Sequence, residues 1–258
     1  MNLARSGLAC AGLVLLACSV ALQPAAVAQS PVLKVQVLQT YPHDPNAFTQ
    51  GLLLHEGSLY ESTGLVGRSS LRQVELKTGK VLRKADVAPP IFAEGLALVG
   101  EKLYQLTWQH GRVLVYNRAT FGRTGEFSYT GEGWGLCYDG KQLVMSNGGD
   151  TLTFRDPQDF SVKRTMTVTM NGRPLDRLNE VECVGPHVYA NVWTTDSIVQ
   201  IDAVSGKVIG RIEATGLLAP GERHQDAVLN GIAYDPADKT FLITGKLWPK
   251  LFRVRFVP

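Results

Sequence analysis

Residues 50–64 read QGLLLHEGSLYESTG, and the phrase returns four more times. It recurs as EGLALVGEKLYQLTW (94–108), WGLCYDGKQLVMSN (134–147), EVECVGPHVYANVW (180–193) and NGIAYDPADKTFLITGK (230–246), at intervals of 44, 40, 46 and 50 residues. Each copy runs apolar strand, tight polar turn, apolar strand, then a further stretch such as VLVYNRATFGRTGEF or IVQIDAVSGKVIGRI. A period of this length, with about four short strands per unit, marks a β-propeller blade. One such sheet cannot bury both of its faces alone, so the units must pack in a ring. The expected fold is all-β, a five-bladed β-propeller.

Working outward from the phrase, the residue that opens each copy varies (Gln50, Glu94, Trp134, Glu180, Asn230), while the apolar residues behind it barely change. The second strand ends in an equally varied set: Thr63, Trp108, Asn147, Trp193 and Lys246. Repetition preserves packing positions and leaves others free to specialise. These ten positions are therefore expected at one end of the ring, around a site.

Ahead of the repeats, residues 1–28 read as a secretory signal peptide: Arg5, the apolar run LACAGLVLLACSVAL, and the small-residue cleavage site Ala26-Val27-Ala28 before Gln29. The run is shorter than the roughly 20 residues that span a bilayer, so no stable membrane span is expected. A minority alternative is a lipoprotein box at Leu15–Cys18, which would anchor the chain through Cys18. The exported chain, periplasmic or secreted, is then 29–258, a single domain expected to be a monomer. Its 25 basic and 23 acidic residues are scattered without a basic run, which argues against nucleic acid. No Gly-rich phosphate loop or dinucleotide fingerprint is present.

The alternating segments VLKVQVLQT (32–40) and LFRVRFV (251–257) read as strands that meet in the last unit and close the ring. Turn residues such as Glu56-Gly57 and Asp139-Gly140 separate strand-like runs throughout, and a short helical turn is expected only at 221–228. Cys137 and Cys183 lie three residues into neighbouring phrases. An exported compartment permits their pairing, but the gap between blades is not readable, and a buried pair of free thiols is the favoured reading.

Candidate chemistry centres on Glu94. It follows the apolar stretch PPIFA, and a carboxylate lodged among apolar groups has a raised pKa, as a general acid/base working near neutrality needs. Phe48, Phe92, Trp108, Trp134 and Trp193 would form a small, partly dry cavity, with Trp248 at its rim. Lys246 would point into the same mouth, although a lone lysine is more often a solvated surface residue. Gln50, Asn179, Asn191 and Asn230 add neutral amides, suited to hydrogen-bonding an amide substrate. The five histidines share no register, so neither a His-based metal site nor a nucleophilic triad is expected.

The motifs FTQGL (48–52), FAEGL (92–96), LTW (106–108), GEGWGL (131–136), LNEVE (178–182), ANVW (190–193), LNGIA (229–233) and TGKLWP (244–249) resemble the glutaminyl cyclases of the plant and bacterial type. The resemblance covers nearly all of residues 40–256, departing mildly at the fourth residue of LNEVE. It implies a five-bladed propeller enzyme, an aminoacyltransferase-type cyclase that converts N-terminal glutamine of peptides and proteins to pyroglutamate and releases ammonia. It further implies Glu94 as catalytic glutamate and Phe48, Gln50, Phe92, Trp108, Trp134, Asn179, Trp193 and Lys246 as pocket residues. No catalytic metal or other cofactor is implied; a structural cation in the central channel is left open, its ligands unplaced. Two other classes stay open: a non-enzymatic peptide- or ligand-binding propeller, and a metal-dependent lactonase-type propeller. Against the second, only Glu94 and Glu180 are acidic among the five openings. Cleavage before Gln29 would also make the chain's own first residue a substrate, on a tail expected to be mobile.

Overall fold

A computed structural model describes Met1, residues 29–223 and residues 226–258. Residues 2–28, where the signal peptide is read, lie outside the described residues, as do His224 and Gln225 of the expected helical turn. The described residues are all-β, with no helix. After β1 (Val32–Pro42), strands β2 (Thr49–His55), β3 (Ser58–Thr63), β4 (Ser70–Glu75) and β5 (Val81–Asp86) form one antiparallel sheet. A second sheet holds β6 (Ala93–Val99), β7 (Lys102–Thr107), β8 (Arg112–Asn117) and β9 (Arg123–Ser128). The third holds β10 (Leu136–Tyr138), β11 (Leu143–Met145), β12 (Thr151–Arg155) and β13 (Val162–Thr167), followed by the small hairpin of β14 (Thr169–Met170) and β15 (Arg173–Pro174). Then come β16 (Leu178–Val184), β17 (His187–Val192), β18 (Ser197–Asp202) and β19 (Val208–Glu213), and last β20 (Leu229–Asp235), β21 (Thr240–Gly245) and β22 (Lys250–Val257).

The two ends of the chain meet as expected. β1 pairs antiparallel with β22 from Lys34↔Val257 to Pro42↔Lys250, so it is the fourth strand of the last unit. It also pairs in parallel with β19 through Val32↔Arg211, which joins the last two units into one eight-stranded sheet. The tail ahead of it, expected to be mobile, is tied to the body at Ser30 and Pro31. Ser30 N donates to Asn171 Oδ1 at 3.0 Å and Arg211 N donates to Pro31 O at 2.8 Å.

Burial grades outward within each sheet. The first strands β2 and β6 are buried through most of their length, while the outer strands β5 and β9 are largely exposed. The first strands of the five units touch in a closed circuit, β2–β6–β10–β16–β20 and back to β2. They approach so closely that a Cβ on Gly95 would stand 2.5 Å from Leu136 N, and one on Gly135 would collide with Asn179 O. Glycine at this slot is therefore a packing requirement, met by Gly51, Gly95, Gly135 and Gly231.

The fourth unit breaks that rule, which corrects the sequence register. Leu178 pairs with Val192 and Val181 with Ala190, as Ala93 pairs with Thr107 and Leu96 with Gln105. Asn179, not Glu180, is thus the counterpart of Gln50, Glu94, Trp134 and Asn230. Glu180 occupies the glycine slot. Its carboxylate lies between inner strands and accepts Leu52 N at 3.2 Å and Ile232 N at 2.9 Å. By the same pairing, Gly64 and Gly148, rather than Thr63 and Asn147, correspond to Trp108, Trp193 and Lys246.

Close approach of the inner strands also decides the cysteines. Cys137 of β10 and Cys183 of β16 are joined in a disulfide, with Cα atoms 5.6 Å apart, in place of the favoured free pair. The bond crosses two sheets that share no ladder. It closes a loop of 46 residues, so on the chain-entropy account Cys137→Ser should cost about 4 kcal/mol of stability. A urea midpoint unmoved by that substitution, or by reductant, would contradict the account.

Candidate active site

Four of the five inner strands enter through an irregularity; β10 pairs with β11 without one. The pairing register slips between Thr49 and Gly51, Ala93 and Leu96, Leu178 and Val181, and Leu229 and Ile232. Bulges of this kind free a residue from the ladder and re-aim its side chain. The residues freed are Gln50, Glu94, Asn179 and Asn230. Beside them the second strands end, tied back by Gly64 N→Phe48 O (2.8 Å), Trp108 N→Phe92 O (2.9 Å), Trp193 N→Arg177 O (2.8 Å) and Lys246 N→Val228 O (2.9 Å).

These ends enclose a cavity of about 380 Å³. Of the residues expected from sequence, Phe48, Phe92, Glu94, Trp108, Trp134, Asn179, Trp193 and Lys246 line it. Gln50 does not. It lies beneath, buried, and its Nε2 donates to Glu94 Oε1 at 2.8 Å while Asn230 Nδ2 donates to its Oε1 at 3.1 Å. That chain fixes the Gln50 amide and one oxygen of Glu94. Thr63 hydrogen-bonds Ser70 instead, Asn147 is exposed, and Trp248 is 2% exposed with its Nε1 donating to Ala227 O, so none of the three reaches the mouth. A larger cleft of about 690 Å³ lies between the second sheet and Tyr138, Pro157 and Gln158 of the third, but it offers neither a buried carboxylate nor a buried amine.

The aromatic walls interlock edge to face. Phe48 and Phe92 stand 6.1 Å apart at 89°, Phe92 and Trp108 5.7 Å at 63°, and Trp134 and Trp193 5.4 Å at 89°. Gly64 and Gly148 make this fit possible, since a Cβ at Gly148 would stand 2.7 Å from the Trp134 ring and one at Gly64 would strike Phe92. Lys246 Nζ lies 4.9 Å from the Phe48 ring centroid.

Charge inside this wall is costly. Glu94 is 4% exposed, and burial pushes its carboxyl well above the ordinary range; the Lys246 cation pulls it back and the Glu132 anion pushes it further up. Lys246, 5% exposed, is lowered by burial and partly restored by Glu94. Glu94 Oε2 and Asn179 Oδ1 are both buried and accept no hydrogen bond from the protein. Glu94 and Asn179, each with an unpartnered acceptor, and the buried amine of Lys246 thus belong to residues that line a single, largely apolar chamber. That arrangement can take a proton from a bound group, return it elsewhere, and donate to a carbonyl oxygen.

Sequence reasoning missed Thr194, Asp226 and Val228, which also line the cavity, and Glu132, which supports it. Thr194 sits at φ 66°, a conformation costly for a β-branched residue, and Arg177 Nη1 donates to its hydroxyl at 3.1 Å. All four lie outside the strands. The GEGWGL motif quoted for the resemblance contained Glu132 but gave no sign of its role.

Comparison with known proteins identifies the family. Residues 9–256 match the family model for glutamine cyclotransferase. The glutaminyl-peptide cyclotransferase of Arabidopsis thaliana is 42% identical over 228 residues, covering 86% of this chain and 71% of that protein. The crystal structure of Myxococcus xanthus glutaminyl cyclase superposes with a TM-score of 0.84 at 40% identity, covering 89% of this chain and 99% of that one. A chain matched along most of its length in sequence and in fold belongs to the glutamine cyclotransferase family.

Proposed function

We propose that the protein is a glutaminyl-peptide cyclotransferase that closes N-terminal glutamine to pyroglutamate by metal-independent acid/base catalysis, on the mouth of a five-bladed propeller. The observation that carries the mechanism is Glu94, which lines the aromatic chamber with one carboxylate oxygen held by Gln50 and the other, Oε2, buried without a hydrogen-bond partner in the protein. The neutral α-amine attacks its own side-chain carboxamide carbon. A C–N bond forms there and the bond to the amide nitrogen breaks. Glu94 accepts the proton lost by the amine and passes it to the departing nitrogen, which leaves as ammonia. Lys246 donates to the carbonyl oxygen as charge develops on it, and Asn179 Oδ1 accepts an N–H of the substrate. Phe48, Phe92, Trp108, Trp134 and Trp193 hold the side chain folded on itself, which makes the intramolecular attack effective. Gln50 acts from below, by orienting Glu94.

The blade reading is supported by five antiparallel units and by the closed circuit of their first strands. One ring implies one domain over 29–258, and we take the working protein to be a monomer without a resident cofactor. The disulfide supports export to an oxidising compartment and thus the reading of residues 1–28 as a cleaved signal. Incubation with a peptide bearing N-terminal glutamine, after exhaustive chelation, is expected to release one ammonia per pyroglutamate formed. Activity lost to the chelator and restored by a divalent metal would overturn the metal-independent route. Peptide binding without ammonia would assign the fold to recognition alone.

A further inference from the structure

One carboxylate outside the reacting set is placed to govern the pocket. Glu132 precedes β10, and its Oε2 accepts both indole N–H groups of the cage: Trp108 Nε1 at 2.8 Å and Trp134 Nε1 at 2.9 Å. Its Oε1 accepts Gln109 Nε2 at 3.0 Å. Trp108 directly follows β7 of one sheet and Trp134 lies two residues ahead of β10 of the next, so the carboxylate spans the seam between two sheets. Trp108 in turn meets Phe92, and Trp134 meets Trp193. Two separate aromatic pairs thus hang on one oxygen atom. Indole offers a single donor and no acceptor, so fixing that N–H fixes the ring's rotation about its own axis.

We infer that Glu132 is a positioning residue of the cyclisation reaction: it locks Trp108 and Trp134 into one wall of the substrate cage and sets the charge under which Glu94 works. The inference rests on the cyclase reading of this pocket. Its mechanical half follows from geometry, because hydrogen bonds to an ionised acceptor are roughly twice as strong as neutral ones. Its electrostatic half follows from sign. Burial would raise the Glu132 carboxyl, but the donors from Gln109, Trp134 and Trp108 outweigh it and hold it ionised below the usual range. Glu94 is then faced by an anion from the β9–β10 connection and by the Lys246 cation from the end of β21. Tyr129, whose hydroxyl donates to Thr107 O, is kept neutral, pushed up to about 12. Asp226 completes the charged lining. Like charge on Glu132 opposes ionisation of Glu94, and Lys246 favours it.

Two substitutions separate the halves. Glu132→Ala frees both indoles and should raise KM for an N-terminal glutamine peptide about tenfold, with tryptophan emission shifted as the rings reorient. Glu132→Gln keeps an acceptor oxygen but removes the charge. It should change KM less than about threefold yet move the acidic midpoint of the kcat/KM profile lower by about half a pH unit, because Glu94 then ionises more readily. An unchanged KM in the alanine variant, or an unchanged acidic midpoint in the glutamine variant, would overturn the corresponding half. Loss of folded protein with normal KM and pH profile in the surviving molecules would make Glu132 merely structural and overturn both. Absence of turnover in the wild type would overturn the cyclase reading itself and is read separately.

Discussion

Glu94→Gln is expected to lower turnover of N-terminal glutamine peptides by about 10²–10⁴-fold while the protein stays folded, because an amide cannot carry a proton from the attacking amine to the leaving nitrogen. Retention of more than roughly a tenth of the wild-type rate would remove Glu94 from the chemistry. The same substitution should stabilise the fold. Burial holds the folded-state pKa of Glu94 above its unfolded value. Below the unfolded value both states are protonated and burial carries no electrostatic cost. As pH rises past it, the unfolded chain ionises first and the folded state loses ground until it ionises too. A glutamine has no such dependence. The variant's urea midpoint should therefore exceed that of the wild type at neutral pH, and fall closer to it in acid. An inactive variant that is also less stable at neutral pH would point to a damaged scaffold instead.

Lys246→Ala is the second large effect. Loss of the donor at the carbonyl oxygen should cost about 10²–10³-fold in kcat. Removing its cation also leaves Glu94 facing burial and Glu132 alone, which raises its pKa further. The acidic limb of the pH–rate profile should therefore move to higher pH, opposite to the shift expected for Glu132→Gln. Activity per folded molecule within about threefold of wild type would show that this lysine is a bystander. Two variants with opposite displacements of one limb would identify Glu94 as the group that titrates.

The repeat made much of this legible. Five copies of one phrase announced the sheets, and the specialised strand ends pointed to the cavity that now holds Glu94, Lys246 and the aromatic set. What failed did so for identifiable reasons. The fourth phrase reads as opening at Glu180 because a carboxylate in a glycine slot has no precedent in the other four copies. Its backbone acceptor role appears only when Leu52 and Ile232 are brought beside it. Cys137 and Cys183 were judged by position within strands, whereas the bond depends on the gap between strands, set by glycines elsewhere. Gln50 was expected on the wall because register gives the level of a residue and not its direction in a bulge. Glu132 lies in a connection, where no periodicity speaks, and its meaning comes from two indoles 26 residues apart in sequence.

The double pairing of β1 carries a consequence for how activity first arises. During synthesis the chain acquires Phe48 and Glu94 early, Trp193 late, and Lys246 only shortly before its last strand. The earliest strand cannot reach its antiparallel partner until Val257 has emerged to meet Lys34. No fragment that stops short of Lys246 therefore carries every residue of the pocket, and the sheet behind it is completed only by the pairing of β1 with β22.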